Sequence, residues 1–219
     1  MKLRARDVVL VVVGWVVVAV ALAAFFVILR SQSPAPTSTS EPGPVPTHTV
    51  VFTQVTARGL YPKAEELALA WQPDAQPVSL TATWLGAAID EVGQPTEWVY
   101  RFYSPSWRHY YFVTVEPDGQ TQGLEHARQV DLPPPLVPVE TWQVDSVEAL
   151  TTWLDYGGGA MLDAKPGIEV SAQLNVPAEG DDPTWSVVGF DIQDEDFLTV
   201  MIHAQSGEVL RTVQPEPVP

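Results

Sequence analysis

The feature that most constrains this chain is a run of 22 residues, 8–29, without a charged or polar side chain. As an α-helix rising about 1.5 Å per residue, the run would measure roughly 33 Å, enough to cross the hydrocarbon core of a bilayer. Lys and Arg occur three times before it and only once, as Arg30, close behind it. Because the more basic flank stays in the cytoplasm, the sequence predicts a single transmembrane helix within 1–30, with a cytoplasmic N-terminus and an extracytoplasmic remainder.

A cleaved signal peptide is the alternative interpretation of this segment. Ala19–Ala21 and Ala21–Ala23 both resemble small-residue cleavage sites. The apolar region of a signal peptide normally spans about 7 to 15 residues. Here the apolar run continues past both sites through Phe25–Leu29, which favours a retained anchor.

The composition changes twice after the apolar run. Residues 31–48 hold five prolines among Ser and Thr with one charged residue, Glu41. Such a segment is an extended linker, and at about 3.1 Å per residue it would reach up to roughly 55 Å from the membrane. Residues 49–213 contain seven of the eight tryptophans and alternate regularly between apolar and polar side chains. A length of about 165 residues suffices for one sizeable core or two small ones.

The charge of the extracytoplasmic part excludes some classes of partner. Residues 31–219 carry 26 acidic and 7 basic residues, which leaves a net charge of −19. Binding of DNA or RNA phosphates needs a basic surface, so no nucleic-acid partner is expected. There is no cysteine, which excludes disulfides, thiolate metal sites and a lipid-modified cysteine.

The globular part contains one pattern twice. An apolar helical face ending in Leu67–Trp71 precedes strict alternation over Val78–Trp84, and the same order recurs in Ala149–Trp153 and Ile168–Leu174. Spacing of three and four residues predicts a helix, and alternation predicts a strand with one buried face. The sequence therefore predicts an α+β fold in which the transmembrane helix is followed by two tandem units, each a helix packed on a small antiparallel sheet.

The boundaries of the two units follow from composition. The first unit covers 49–130, a proline-rich connector covers 131–144, and the second unit with a short tail covers 145–219. Asp145 is the predicted N-cap of the second helix. The three glycines Gly157–Gly159 are predicted to end it.

The closing run Phe197–Leu210, with its Ser-Gly-Glu-Val-Leu ending, and the helix-then-strand order resemble the PepSY family of extracytoplasmic domains. The first unit departs from that ending at Asp118–Thr121. The resemblance covers about 60–121 and 145–212. It implies a non-catalytic domain in a family associated with peptidase propeptides and proposed to inhibit or regulate peptidases. The family supplies no catalytic residue that could be carried over to this chain.

The densest chemical feature is the segment 98–112, in which 8 of 15 residues are aromatic. It is predicted to form two strands joined at Ser104–Ser106. Aromatic residues and arginine dominate binding hot spots, so one interpretation is a surface for a peptide, glycan or protein. The other is that these side chains pack in the core. The candidate binding residues are Trp98, Tyr100, Arg101, Tyr103, Trp107, Arg108 and Tyr111.

Other clusters give no chemistry. The acidic stretches 181–182 and 191–196 lack the spacing of a calcium loop and are interpreted as solvated acids. The four histidines are too far apart in sequence to suggest a metal site. No Gly-x-Ser-x-Gly nucleophile motif and no phosphate-binding loop is present, so neither a cofactor nor an enzymatic activity is predicted.

The sequence thus predicts a membrane-anchored extracytoplasmic protein that binds or regulates a protein partner, such as a peptidase or an envelope complex. The alternative is a structural accessory subunit of a membrane complex, recruited through 8–29. An enzyme using a pair of acidic residues is a third hypothesis, with less support.

Overall fold

A computed structural model of the chain describes residues 55–87, 92, 95–165, 167–178, 182–194 and 196–215. The predicted transmembrane segment 8–29 and the linker 31–48 lie outside these residues. Within the part of the chain that is described, no helix is long and apolar enough to cross a bilayer. All described residues belong to one compact unit.

Two groups of elements follow each other along the chain. The first group consists of α1 (Ala57–Trp71), β1 (Gln76–Ala87), β2 (Trp98–Ser104), β3 (His109–Val115) and β4 (Thr121–Glu125). A 3-10 turn at Val139–Thr141 leads to the second group. That group consists of α2 (Ser146–Trp153), a π-helical turn (Leu154–Gly158), α3 (Gly159–Ala164), β5 (Ile168–Asn175), β6 (Thr184–Asp191), β7 (Asp196–His203) and β8 (Val209–Val213).

The eight strands form one antiparallel sheet in the order β4-β3-β2-β1-β5-β6-β7-β8. The predicted arrangement of two units, each with a small sheet of its own, is therefore wrong. The two groups merge because β1 pairs with β5, in a register that sets Leu80 opposite Leu174 and Trp84 opposite Val170. Alternation along a strand reveals which face is buried, but it does not reveal whether the edge of that strand is paired.

Both long helices cover the same face of this sheet. The small side chains of α1, Ala64 and Ala68, are fully buried and let the helix lie close to the sheet. Trp153 of α2 is also fully buried. We call the sheet face turned away from α1 and α2 the open face, since no described helix covers it. Antiparallel sheets commonly leave one face in contact with water.

The N-termini of the two helices meet. Asp145 is the N-cap of α2, as predicted, and its Oδ1 accepts the N–H of Ser146 at 2.6 Å. The same oxygen accepts the N–H of Arg58 at 3.0 Å, and Ser146 Oγ accepts the N–H of Ala57 at 3.1 Å. The first N–H groups of a helix have no partner within it, so the start of α2 satisfies those of α1 as well.

The glycine run marks the end of the second helix, as predicted. The backbone leaves helical geometry at Tyr156 and Gly157, whose φ is +115°, and a separate short helix, α3, begins at Gly159. Gly158 also allows a close contact, because a Cβ there would lie 2.4 Å from the indole of Trp153. These glycines are therefore needed for packing as well as for backbone geometry.

Candidate protein-binding surface

The aromatic segment forms the β2–β3 hairpin, in which Trp98 pairs with Val115 and Ser104 with His109. Alternating residues of β2 point towards α1. Trp98 and Tyr100 are each 1 % exposed, and the Tyr100 hydroxyl donates a hydrogen bond to the Ala57 carbonyl. Burial, followed by the nearby Asp145 carboxylate, raises the pKa of Tyr100 well above its ordinary value. These two candidate residues contribute to the core.

The other side of the hairpin lies on the open face. Tyr103 is 2 % exposed and its ring centroid lies 5.8 Å from that of Tyr110. Arg101 on the same face is half-buried, and its guanidinium lies over the Tyr110 ring. Three of the seven candidate residues are therefore buried, and the remaining four reach the surface: Arg101, Trp107, Arg108 and Tyr111.

The turn of the hairpin is held by Asp74, which follows α1. Its carboxylate accepts hydrogen bonds from Ser104 Oγ at 2.7 Å and from the Ser106 N–H at 2.8 Å. Ser104 Oγ in turn accepts the Trp107 N–H at 3.2 Å. The Ser104 hydrogen bond is the main cause that lowers the pKa of Asp74. The backbone on both sides of Trp107 is thus fixed from the end of α1.

Arg108 is the only non-glycine residue of the described chain with a positive φ, +59°. Such a conformation is strained for a residue with a Cβ and persists where the surroundings determine it. The Arg108 N–H donates to the Ser104 carbonyl at 2.7 Å, and its carbonyl accepts the Val130 N–H at 2.7 Å. Its guanidinium donates to the carbonyls of Val130 at 3.2 Å and Asp131 at 2.8 Å. The backbone at Val130 and Asp131, where the first unit meets the proline-rich connector, therefore holds the hairpin turn together with Asp74.

Three aromatic side chains, Trp71, Trp107 and Tyr111, meet at the end of α1, and we call them the aromatic cap. Trp71 stacks on Tyr111 with a centroid distance of 4.7 Å and an interplanar angle of 5°. Trp107 meets Trp71 edge-on at 6.1 Å and is 48 % exposed.

Glu125 of β4 anchors the aromatic cap. It accepts a hydrogen bond from Trp71 Nε1 at 3.0 Å and contacts His109 Nδ1 at 2.8 Å. These two contacts, that of His109 first, lower the pKa of Glu125. Partial burial, followed by Glu125, raises the pKa of Tyr111.

Trp71, Asp74 and Glu125 belong to this surface but are not predicted from the sequence. Helical spacing predicts Trp71 in the core stripe of its helix, and the two acids have no motif around them. Their role depends on contacts between residues far apart in sequence, such as Asp74 and Ser104, which are separated by 30 residues. The one signal in the sequence that could have indicated this surface is Trp71, an aromatic residue at the last position of a helix.

The sequence predicts that the acids of the β6–β7 turn are solvated, but three of them contact a lysine. Asp191, Asp194 and Asp196 contact Lys165 Nζ at 3.3, 3.1 and 3.0 Å. The hydrogen bonds that Lys165 donates to Asp196 and Asp194 are the main causes that raise its pKa. In the described ranges, no three side chains are placed to bind a metal ion. Lys165 thus supplies the positive charge that these three carboxylates contact.

Comparison with known proteins adds little. No family model matches the chain, and no curated protein does. One solved structure, a "putative lipoprotein" from Clostridium difficile, is similar over 71 % of this chain and 92 % of its own, with 13 % sequence identity and a TM-score of 0.37. At that TM-score the similarity supports no argument about fold or function.

Proposed function

We propose that this protein is an extracytoplasmic binding protein, held at the membrane by the apolar segment 8–29, and that it binds a protein partner through the aromatic cap and Arg108. The role is regulatory rather than catalytic. The PepSY resemblance suggests a peptidase as the regulated partner. The acidic exterior of residues 31–219 supports a soluble, protein-binding surface rather than one that binds nucleic acid.

The observation that supports this proposal most is the way Trp107 is held. Its side chain is 48 % exposed, yet Ser106, Trp107 and Arg108 are fixed by hydrogen bonds that they donate to Asp74, Ser104 and Val130. An isolated exposed tryptophan needs no explanation, but one on a rigid, strained turn is preorganised. Preorganised aromatic residues and arginine lower the entropic cost of binding and provide hot-spot contacts.

Site-specific photocrosslinking of the full-length protein in its native membrane tests the proposal. A benzophenone amino acid at position 107 is expected to capture one protein partner. The matched control is the same amino acid at position 210, where Leu210 is 50 % exposed on the far edge strand β8. Capture at both positions, or at neither, would contradict a specific surface at the hairpin.

The alternative function is a structural subunit recruited through its membrane segment. It predicts that partner binding depends on that segment and not on the hairpin. Replacing 8–29 with a leucine-rich helix of equal length should leave capture at position 107 intact if the hairpin binds the partner. The accessory-subunit role would be favoured by two results together. The partner is no longer captured after this replacement, and a Trp107→Ala variant with the crosslinker at a nearby position still captures it.

A further inference from the structure

The open face differs in charge from the rest of this acidic molecule. Among the strand residues whose side chains lie on it, one is acidic, Glu169, whereas two are arginines, Arg101 and Arg211. The other acids of the described strands, such as Glu125 and Asp191, lie on the helix side, where they contact Trp71 and Lys165. A negatively charged group can therefore approach the open face without repulsion from a row of carboxylates.

Arg101 is held in one orientation on this face. Its guanidinium carbon lies 5.3 Å from the centroid of the Tyr110 ring, and its Nε donates to Ser79 Oγ at 3.1 Å. The guanidinium stacks on an aromatic ring and donates a hydrogen bond through Nε. Neither contact uses its two terminal nitrogens, which lie in one plane and can donate side by side. Among the described residues, neither of these nitrogens has a hydrogen-bond partner, and no carboxylate lies within 4.0 Å of the group.

Glu169, the one acid among the strand residues of the open face, cannot serve as the partner of Arg101. Ser79 lies opposite both Arg101 and Asn175, so Asn175 is the β5 residue level with Arg101. Glu169 lies six residues further along β5, which at about 3.3 Å per residue is roughly 20 Å away. That distance exceeds the Debye length of about 8 Å at physiological salt. The arginine is preorganised, yet within the part of the chain that the structure describes it has no counter-ion.

We infer that Arg101 is a receptor for a carboxylate of the protein partner, an Asp or Glu side chain presented by an extended segment. A carboxylate matches the two terminal nitrogens in bidentate geometry, and such charge-assisted pairs are stronger than neutral hydrogen bonds. Tyr110 and Phe112 flank the guanidinium as half-buried aromatic side chains. They offer apolar contact to the residues that neighbour the acid, which suits a peptide better than a small anion.

This inference rests on the proposed function and names the chemistry of the partner. Arg101 and Trp107 belong to the same hairpin, and Arg101 pairs with Phe112 three residues from the Ser104–His109 closing pair. At about 3.3 Å per residue, Arg101 lies roughly 10 Å along the strands from that closing pair. Arg101 is on the open face, whereas the aromatic cap lies at the end of α1, so a partner segment that contacts both passes around the hairpin turn.

The test is a selection of random 12-residue peptides on the full-length protein in detergent micelles, followed by affinity measurements on the selected peptides. Wild type is expected to enrich peptides with a fixed Asp or Glu. Replacing that acid by its amide should weaken binding about tenfold or more. Arg101→Gln should remove the difference between acid and amide, and Arg101→Lys should retain only part of it, since lysine lacks the planar fork.

Arg211→Gln is the matched control, because it removes an arginine of the same face that stacks on no described aromatic ring. It should leave the preference for the acid unchanged. Selection without a fixed acid, or an acid preference that survives Arg101→Gln, overturns the inference. So does tighter binding of a peptide with phosphoserine in place of the acid, which would assign the site to phosphate.

The result also separates this inference from the proposed function. Peptides that lose affinity with Trp107→Ala but not with Arg101→Gln would support the hairpin surface and refute the carboxylate receptor. Peptides that depend on Arg101 alone would refute the role of the aromatic cap. Thermal unfolding of both variants, expected to match wild type within a few degrees, confirms that neither effect arises from misfolding.

Discussion

Ala82 lies directly opposite Ala172 across the β1–β5 pair. The two residues occupy corresponding places in the repeated sequence pattern, so each is the counterpart of the other. The strand order reads the same outwards from this pair, with β2, β3 and β4 on one side and β6, β7 and β8 on the other. The centre of the repeat is therefore also the centre of the sheet, and the two groups of strands share a core beneath their helices.

Unfolding of this chain should be a single cooperative transition because the core is continuous across the Ala82–Ala172 pair. Ala172 is fully buried, so Ala172→Leu overpacks the junction and should lower the free energy of unfolding by about 1–3 kcal/mol. Urea unfolding of the full-length protein in micelles, followed by tryptophan fluorescence and far-UV circular dichroism, measures both effects.

Gln173→Leu is the control for that experiment, since Gln173 is the next residue of β5 and lies on the open face. It should change stability by no more than about 0.5 kcal/mol. Two separate transitions, or an Ala172→Leu effect confined to one of them, would mean that the two halves fold independently.

Periodicity predicted the helices and the buried faces of the main strands because side-chain spacing is a local property. It did not predict the union of the strands into one sheet. Both β1 and β5 alternate in the same manner whether their edges are paired or exposed, and the pairing is a contact between residues 92 apart, as for Thr81 and Gln173. The repeat predicted two separate units, whereas the hydrogen bonds between β1 and β5 join the strands into one sheet.

The candidate surface was predictable in composition but not in exposure. Aromatic richness selected Trp98, Tyr100 and Tyr103 together with Trp107, although the first three are buried. Strand alternation distinguishes one face from the other, yet it does not reveal that Tyr103 is buried on the open face as well. Asp74 and Glu125, which hold the surface in place, contact it across long stretches of sequence and carry no local signal.

Gly189→Ala should destabilise the protein although alanine normally suits a strand better than glycine. A Cβ at position 189 would lie 2.5 Å from Cζ2 of Trp153, a fully buried side chain with little freedom to move. We expect a loss of about 1–3 kcal/mol in the free energy of unfolding, measured by denaturant titration.

A double-mutant cycle tests the cause of that loss. Trp153→Phe removes the part of the indole that contacts position 189, so Gly189→Ala should cost less in the Trp153→Phe background than in wild type. An equal cost in both backgrounds would show that the contact with Trp153 is not responsible.

Asp74 should make the hairpin turn sensitive to acid. Its pKa in the folded protein is lowered, chiefly by the Ser104 hydrogen bond, relative to about 3.9 in an unfolded chain. A lowered folded pKa stabilises the fold at pH values above the unfolded pKa, and the contribution is lost as the pH falls through the folded pKa. Thermal unfolding of wild type and Asp74→Asn should therefore differ at pH 7 and converge below about pH 4.

Asp163→Asn is the control for acid sensitivity, because Asp163 is exposed and accepts no hydrogen bond from a described side chain. Its melting temperature should follow that of wild type at each pH. A difference between wild type and Asp74→Asn that persists unchanged at pH 3 would mean that the amide perturbs packing rather than removing a charge.

Lys165→Met should destabilise the β6–β7 turn by removing the cation on which three carboxylates converge. Asp191, Asp194 and Asp196 lie 3.0–3.3 Å from Lys165 Nζ, and without it they repel one another. The pKa of Asp191 is lowered, first by the Gln193 N–H and then by Lys165, so Asp191 is ionised at neutral pH. The melting temperature of Lys165→Met should accordingly fall at pH 7, and by less in 1 M salt, which screens the repulsion.

Lys63→Met controls for the loss of a positive charge from an acidic protein. Lys63 Nζ contacts the Gly119 carbonyl at 3.3 Å and forms no ion pair with a described acid. Its melting temperature should change less than that of Lys165→Met and should respond less to salt. A triple variant with asparagine at 191, 194 and 196 should remove most of the penalty of Lys165→Met, because uncharged amides do not repel. Equal penalties with and without the three carboxylates would show that Lys165 stabilises the turn through its aliphatic stem rather than its charge.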